Sequence, residues 1–277
     1  MLYFNLQSPL LIAQEEGRLR TADFWSSDYQ DLFVKNSAIQ PPSWQWHNTP
    51  IVYNWNSLGY RTKEIADLDN DFILTFGCSY TEGIGLNASD VWNYHVSKLL
   101  GLDLCNLAKG GTGFQQQYYN SLLWHNSKLP IPKMVIVQWP NKYRKSFGAV
   151  NNAKEIRVRD ANDSRSGIDY TWYARRYIRD EGERMLNNFS EFEMFNNIWK
   201  MLNVPVLNFT WDADTEEDLT KSIYKIWHLT METNILTDLA RDVGTNDSPG
   251  HNGPLYHAET SQKLYTILKS GNFTYKI

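Results

Sequence analysis

The chain has 277 residues, of which 42% are apolar and 21% charged, and these values are typical of a globular protein. A net charge of −4 argues against a surface built to bind nucleic acid. Two cysteines exclude a disulfide scaffold and a cysteine-rich zinc module. No apolar run approaches the ~20 residues of a membrane helix and no secretion signal is visible, so we expect a cytoplasmic or virion-associated protein without a membrane partner.

Aromatic residues are abundant, with 11 Trp, 16 Tyr and 12 Phe. Large aromatic side chains are most often buried, so we expect most of them in the core. Tryptophan and tyrosine platforms that face a sugar are the alternative use.

The chain divides into two parts of different character. Residues 1–70 show no long helical or strand periodicity and carry several Trp and Pro residues, which predicts an irregular, aromatic-rich leader packed on the rest of the protein. Residues 71–277 are patterned and predict one α/β domain. Within it, residues 145–170 are polar and charged, which indicates an insertion at the surface.

Short apolar runs alternate with amphipathic segments after residue 70. The runs 72–76, 102–107, 134–137 and 204–209 predict buried strands. Helices are predicted around 92–99, 114–122, 192–202, 215–227 and 264–268. Continuously apolar strands that alternate with helices indicate a mostly parallel sheet covered on both faces, a three-layer α/β/α sandwich.

In such a sheet, functional sites form where the strands end. Ser79 follows the first strand just before a helical segment, where backbone amides stabilise negative charge. A serine becomes a nucleophile only with a base in hydrogen-bond reach. The alternative is that Ser79 caps a helix.

The next two loops offer hydrogen-bond donors. The glycine-rich loop 110–113 leaves backbone amides open to a developing oxyanion, or else forms a tight turn. Asn141, after the third strand, is a further candidate donor, or else an ordinary loop residue. The pattern G-x-G-x-x-A at 83–88 lies too far beyond the strand to indicate a dinucleotide site.

A loop rich in Gly and Pro precedes the last predicted helix and contains Asp247 and His251. A carboxylate there can fix the tautomer of the imidazole and support its charged form. A metal site of Asp247, His251 and His257 is disfavoured because the spacing matches no recognised ligand pattern. We therefore predict no metal and no other cofactor.

Taken in order, these features resemble the SGNH (GDSL-like) hydrolase family, with similarity to bacterial and phage members. The matching segments are Gly77-Cys78-Ser79 for the Gly-Asp-Ser block, 106–111 for the second block, 139–142 for the Gly-x-Asn-Asp block, 247–251 for the last block, and 56–61 for the lead-in.

The resemblance implies a flavodoxin-like sandwich and a serine esterase or deacetylase that needs no cofactor. Ser79 would be the nucleophile, His251 the base and Asp247 the acid that orients it. The oxyanion would be received by the amides of Ser79 and Gly111 and by Asn141. The implied substrate is a small acyl ester, such as an O-acetyl group on a carbohydrate.

The motifs also depart from the family pattern. Cys78 replaces the Asp of the first block, the third block lacks its glycine, and an extra residue separates Asp247 from His251. Asp242 is therefore a second candidate for the acid. These departures keep open an SGNH-fold protein without catalysis, such as a glycan-binding or virion-associated component, and a nucleotide-binding α/β protein is a further alternative.

Overall fold

The computed structural model of the chain supports a description of most residues between 20 and 271. The described residues are 2–5, 8, 10–11, 13, 20–25, 27–69, 71–144, 146–152, 155–160, 181–234, 237–243, 250–271 and 273. Their α-helices are α1 (Gln30–Ile39), α2 (Ser79–Glu82), α3 (Trp92–Leu100), α4 (Phe114–Asn126), α5 (Glu181–Met201), α6 (Ala213–Asp218) and α7 (Pro254–Ser270). Their strands are β1 (Leu2–Asn5), β2 (Thr21–Ala22), β3 (Tyr53–Asn54), β4 (Phe72–Phe76), β5 (Asp103–Asn106), β6 (Met134–Gln138), β7 (Ser146–Asn152), β8 (Glu155–Asp160), β9 (Val206–Thr210) and β10 (Ile226–His228).

A five-stranded sheet with the order β10-β9-β6-β4-β5 forms the centre of the molecule. Every neighbouring pair in it is parallel. All residues of β4 and of β9 are buried, as expected of strands that are covered on both faces. The predicted parallel sheet and its four predicted strands are confirmed.

Alternate residues of β4 enter two separate cores, because successive side chains of a strand point to opposite faces. Phe72, Leu74 and Phe76 pack in one core with aromatic residues of α4 and α5. Ile73 packs in the other with residues of α3 and α7, including Trp92. Helices thus cover both faces of the sheet, which confirms the three-layer sandwich.

The helix predicted over 215–227 is wrong. The helix α6 ends at Asp218, and Ile226 and Trp227 of the predicted stripe lie in β10, which pairs with β9 at the edge of the sheet. Ile223, one of the positions in the predicted apolar stripe, is 58% exposed. A short apolar segment is compatible with either a helix or a strand, and here hydrogen bonding to β9 favours the strand.

The leader contains more regular structure than its sequence predicts. The helix α1 was not predicted because its sequence has no apolar stripe with helical spacing. In agreement with this, none of its residues is fully buried. Strand β1 pairs with β8, and β8 pairs with β7, in a small antiparallel sheet. Residues 146–152 and 155–160 of the predicted insertion therefore form a hairpin, whereas 161–170 lie outside the described residues.

Arg61 fixes the leader to the loop that follows α2. Its buried guanidinium donates hydrogen bonds to the carbonyl oxygens of Gly83 at 2.6 Å and Leu86 at 2.8 Å. It also lies over the ring of Tyr53, 4.4 Å from the centroid. The leader thereby holds the chain segment immediately after the helix that begins with Ser79.

None of the described helices is both long and apolar enough to cross a membrane.

His257 is enclosed between α7 and α3 and is 1% exposed. Its Nδ1 accepts a hydrogen bond from the backbone N–H of Trp92 at 3.2 Å. Burial lowers the pKa of His257 to about 3, with smaller contributions from His251 and His95. The ring is therefore neutral near pH 7, with its proton on Nε2.

This depressed pKa predicts a loss of stability in acid. Below pH 6.5 the unfolded chain protonates His257 while the folded chain does not, so the free energy of unfolding falls as the pH drops toward about 3. The slope contributed by this group reaches about 1.4 kcal/mol per pH unit. Urea unfolding between pH 7 and pH 4 measures it.

The control for this experiment compares two histidine variants. His257→Gln, which keeps an acceptor for the Trp92 amide, should show a smaller pH slope than the wild type. His125→Gln, at an exposed position of α4, should keep the wild-type slope. Equal slopes in all three proteins would contradict the prediction.

Candidate active site

Ser79 begins α2 directly after the turn that ends β4, at the carboxyl edge of the sheet. The side chain is 6% exposed. Within the part of the chain that the structure describes, neither its Oγ nor its backbone N–H has a hydrogen-bond partner. Cys78, and not Ser79, occupies the N-cap position, so the capping alternative does not apply.

Gln138, the last residue of β6, fixes the turn that carries Ser79. Its buried Oε1 accepts hydrogen bonds from the Cys78 thiol at 3.2 Å and from the Thr81 hydroxyl at 3.2 Å. Its Nε2 donates to the carbonyl of Trp139 at 2.9 Å. The last residue of β6 thereby holds the turn that follows the neighbouring strand β4.

A buried ion pair joins the first two loops. Lys109 and Glu82 are 4% and 1% exposed, and Nζ lies 2.5 Å from Oε1. The other carboxylate oxygen, Oε2, accepts the backbone N–H of Gly110 at 2.6 Å. A Cβ placed on Gly110 would lie 3.4 Å from the Cβ of Ser79, so this loop rests against the serine.

Gly111 differs from Gly110 in the hydrogen bonding of its backbone amide. Its φ of +76° is the left-handed conformation that favours glycine. While the Gly110 amide is bound by Glu82, the Gly111 N–H has no acceptor among the described residues. The Gly111 amide therefore remains available to a ligand.

His251 is held by Asp242. Its Nδ1 is hydrogen-bonded to Oδ2 of Asp242, and its backbone N–H donates to Oδ1 at 3.2 Å. Oδ2 also accepts a hydrogen bond from the hydroxyl of Ser27 in the leader, at 2.9 Å. The Nε2 of His251 has no partner in the described residues, and the ring lies against that of Tyr80, with centroids 4.8 Å apart.

The chain brings Asp242 to His251 by folding back on itself. Leu239 and Asn252 form an isolated antiparallel bridge, and the Ala240 N–H donates to the His251 carbonyl at 3.0 Å. Asp242, the second candidate for the acid, thus occupies the Nδ1 side of the imidazole. Asp247 lies outside the described residues.

Asn141 follows β6, as predicted, at an exposed position. Its Nδ2 donates to Oδ2 of Asp212 at 3.1 Å, and its Oδ1 accepts the backbone N–H of Tyr143 at 2.9 Å. One amide hydrogen of Asn141 remains for another acceptor. Neither of the hydrogen bonds of the Asn141 side chain to described residues involves Ser79.

An open cleft of about 310 Å³ lies beside these side chains. Tyr80, whose ring packs on His251, forms part of its wall. The other residues of the wall are Cys78, Gln138, Trp139, Asn141, Arg144, Thr210, Trp211, Asp212, Asn252 and Tyr256. Within the described residues no group of three or more His, Cys, Asp or Glu side chains is arranged to hold a metal ion.

Solved structures of esterases resemble the chain. A carbohydrate esterase has a TM-score of 0.46 at 11% identity, covering 73% of this chain and 65% of its own. The acetyl xylan esterase Est2A from the rumen bacterium Butyrivibrio proteoclasticus has a TM-score of 0.45 at 14% identity, covering 80% and 66%. A protein from Desulfitobacterium hafniense DCB-2, described as a member of the lipolytic G-D-S-L family, has a TM-score of 0.41 at 10% identity, covering 72% and 99%.

The chain spans just under two thirds of the length of the two carbohydrate esterases, at 65% and 66%. No protein-family model matches the sequence, and no curated protein matches it either.

Sequence reasoning gave no role to several polar residues of this region. Glu82 lies three positions after Ser79, one turn along α2, a spacing that places the two residues on the same side of that turn. Ser27 and Arg144 gave no signal, because their contacts depend on how the leader and the loop after β6 fold back onto the site. Side chains that act across distant segments cannot be found from spacing along the chain.

The buried pair of Glu82 and Lys109 predicts a non-additive effect on stability. Glu82→Gln leaves the Lys109 ammonium buried without its counter-charge and should lower the free energy of unfolding by about 3–5 kcal/mol. Adding Lys109→Met removes that charge, so the double variant should be more stable than Glu82→Gln alone. Urea denaturation of the four proteins in the cycle measures the coupling.

An exposed ion pair supplies the control. Lys133 and Asp71 lie 3.0 Å apart, with side chains 56% and 62% exposed. The same cycle with Lys133→Met and Asp71→Asn should give a coupling below about 1 kcal/mol. A double variant at 82 and 109 that is no more stable than Glu82→Gln would contradict the prediction.

Proposed function

We propose that the chain is a serine ester hydrolase of the SGNH (GDSL-like) type that removes small acyl groups, above all acetyl groups, from carbohydrates. The observation that carries the proposal is the state of His251. Asp242 binds its Nδ1, while Nε2 is left without a partner in the described residues. Its ring packs on Tyr80, the residue that follows the candidate nucleophile.

In the proposed reaction, the Oγ of Ser79 attacks the carbonyl carbon of the ester while Nε2 of His251 accepts the hydroxyl proton. Asp242 keeps the proton of the imidazole on Nδ1 and stabilises the charged ring. The tetrahedral intermediate expels the alcohol, which takes the proton from Nε2. Water, activated by the same nitrogen, then hydrolyses the acyl-enzyme.

The oxyanion requires donors that are not already bound. The N–H groups of Ser79 and Gly111 meet this condition in the described part of the chain, and they lie in loops that touch each other. The free amide hydrogen of Asn141 is proposed as the third donor. A carbohydrate alcohol fits the adjoining cleft, where Tyr80 and Trp211 offer aromatic surface among polar groups.

A binding protein on the same fold is the second candidate. It is favoured by one observation, that Ser79 and His251 share no hydrogen bond in this structure. Catalytic hydrogen bonds often form only once a substrate is bound, so the decision rests on activity.

Hydrolysis of p-nitrophenyl acetate tests the assignment of the acid. Ser79→Ala, His251→Ala and Asp242→Asn should each lower kcat by roughly 10³–10⁴, because each removes one member of a triad that acts as a unit. Asp247→Asn, the other candidate acid, should stay close to the wild type. Steady-state kinetics on purified variants with unchanged circular dichroism measure this.

His125→Ala on α4 is the matched control for the histidine and should keep the wild-type rate. Equal rates in wild type and Ser79→Ala would exclude the proposed mechanism. A loss in Asp247→Asn without a loss in Asp242→Asn would move the acid to the other residue.

Asn141→Ala tests the third oxyanion donor. Loss of one such donor should lower kcat by about 10²–10³ with little change in KM, because the hydrogen bond forms only in the transition state. Asn126→Ala, at an exposed position near the end of α4, should leave both constants unchanged. A variant at 141 in which only KM rises would assign Asn141 to substrate binding.

A further inference from the structure

Of the described residues that form the wall of the cleft, Arg144 is the one that carries a positive charge. Its Nη1 is buried and has no hydrogen-bond acceptor, and no carboxylate pairs with the guanidinium in the part of the chain that the structure describes. A buried guanidinium N–H without an acceptor carries a high desolvation cost. Among the described residues, the wall of the cleft therefore contains a cation without a counter-charge.

Two other donors in the wall also have an N–H group without an acceptor among the described residues. Trp211, also in the wall, has a buried indole Nε1 without an acceptor among the described residues. Asn141 retains one amide hydrogen. A ligand with acceptor oxygens of its own can pair with these donors.

Asp212 is the acidic residue among the described residues of the wall, and its Oδ2 is hydrogen-bonded by residues other than Arg144. Its Oδ2 accepts hydrogen bonds from Asn141 at 3.1 Å and from the Thr215 hydroxyl at 2.5 Å. It forms no ion pair with Arg144. A single guanidinium beside a retained carboxylate suits a monoanion better than a doubly charged phosphate.

We propose that the cleft binds an ester substrate that carries a carboxylate, and that Arg144 receives this carboxylate through paired N–H···O hydrogen bonds. The planar guanidinium matches the geometry of a carboxylate. The backbone of Arg144 also packs against the glycine-rich loop, since its carbonyl oxygen would be 2.5 Å from a Cβ on Gly113. This inference rests on the proposed function, which it extends to the class of substrate.

The carboxylate can belong to the alcohol or to the acyl part of the ester, and three substrates separate these cases. They are the O-acetyl ester of a methyl hexuronoside, the O-acetyl ester of the matching methyl hexoside, and the hemisuccinate of the methyl hexoside. We expect the wild type to hydrolyse one of the two carboxylate esters with kcat/KM at least about tenfold above the neutral acetate. The preferred ester identifies which part carries the charge.

Arg144→Met should abolish this preference, so that the ratio of kcat/KM values falls to about one, and Arg144→Lys should retain part of it. Lys133→Met, which removes the same charge at the opposite end of β6, should keep the wild-type ratio. A wild type without preference, or a preference that survives Arg144→Met, would overturn the inference.

Binding without hydrolysis separates this inference from the proposed function. Methyl hexuronoside, monomethyl succinate and methyl hexoside are titrated while tryptophan fluorescence is followed, since Trp211 lies in the wall. One carboxylate ligand should bind about tenfold more tightly than the neutral one, in wild type and Lys133→Met but not in Arg144→Met. This result in a protein that does not hydrolyse p-nitrophenyl acetate would refute the esterase and keep the carboxylate site. Equal binding of all three ligands would refute the site, whatever the activity.

Discussion

The carboxylate of Glu82 is the constraint on which the geometry of the site depends. It neutralises the buried Lys109 and binds the Gly110 amide, and so fixes the loop after β5 against the helix that starts with Ser79. A buried ammonium is tolerated only when it is paired, so the two loops cannot separate without exposing or stranding a charge. Because Glu82 takes the amide of Gly110, the next amide, that of Gly111, is the one left open.

The leader completes this arrangement from outside the sheet. The Lys109 ammonium lies 4.9 Å from the ring centroid of Trp25 and 5.8 Å from that of Trp55, both leader residues. Burial raises the pKa of Asp28, although Arg241, the neighbour of the candidate acid, binds its carboxylate and opposes that rise. Leader residues thus contact both Lys109 and Arg241, the residue next to Asp242. The leader is therefore packed against the candidate site.

Local hydrophobic periodicity predicted the central strands, and the positions of the strand ends suggested the candidate site residues. The four apolar runs lie in strands of the central sheet, and Ser79, Gly111 and Asn141 were proposed as site residues because a parallel sheet places the loops after its strands at one edge. The edge strand β10 was missed because its few apolar residues fit a helix equally well. The partner of His251 was left open between two aspartates, since the bridge that brings residue 242 to residue 251 leaves no trace in the spacing.

Three groups of the candidate site have no hydrogen-bond partner among the described residues: the amides of Ser79 and Gly111 and Nε2 of His251. Unpaired N–H groups cost stability, and a chain usually satisfies them with its own carbonyls or side chains. In the described part of the chain, Gln138, Glu82 and Asp242 each bind the group next to an unpaired one: the Cys78 thiol beside the Ser79 amide, the Gly110 amide beside that of Gly111, and Nδ1 of His251 beside its Nε2. Each of these side chains holds a loop rigid while leaving the adjacent donor or acceptor free. Free groups on a fixed backbone are what stabilisation of a transition state requires, because the protein then need not reorganise when charge develops.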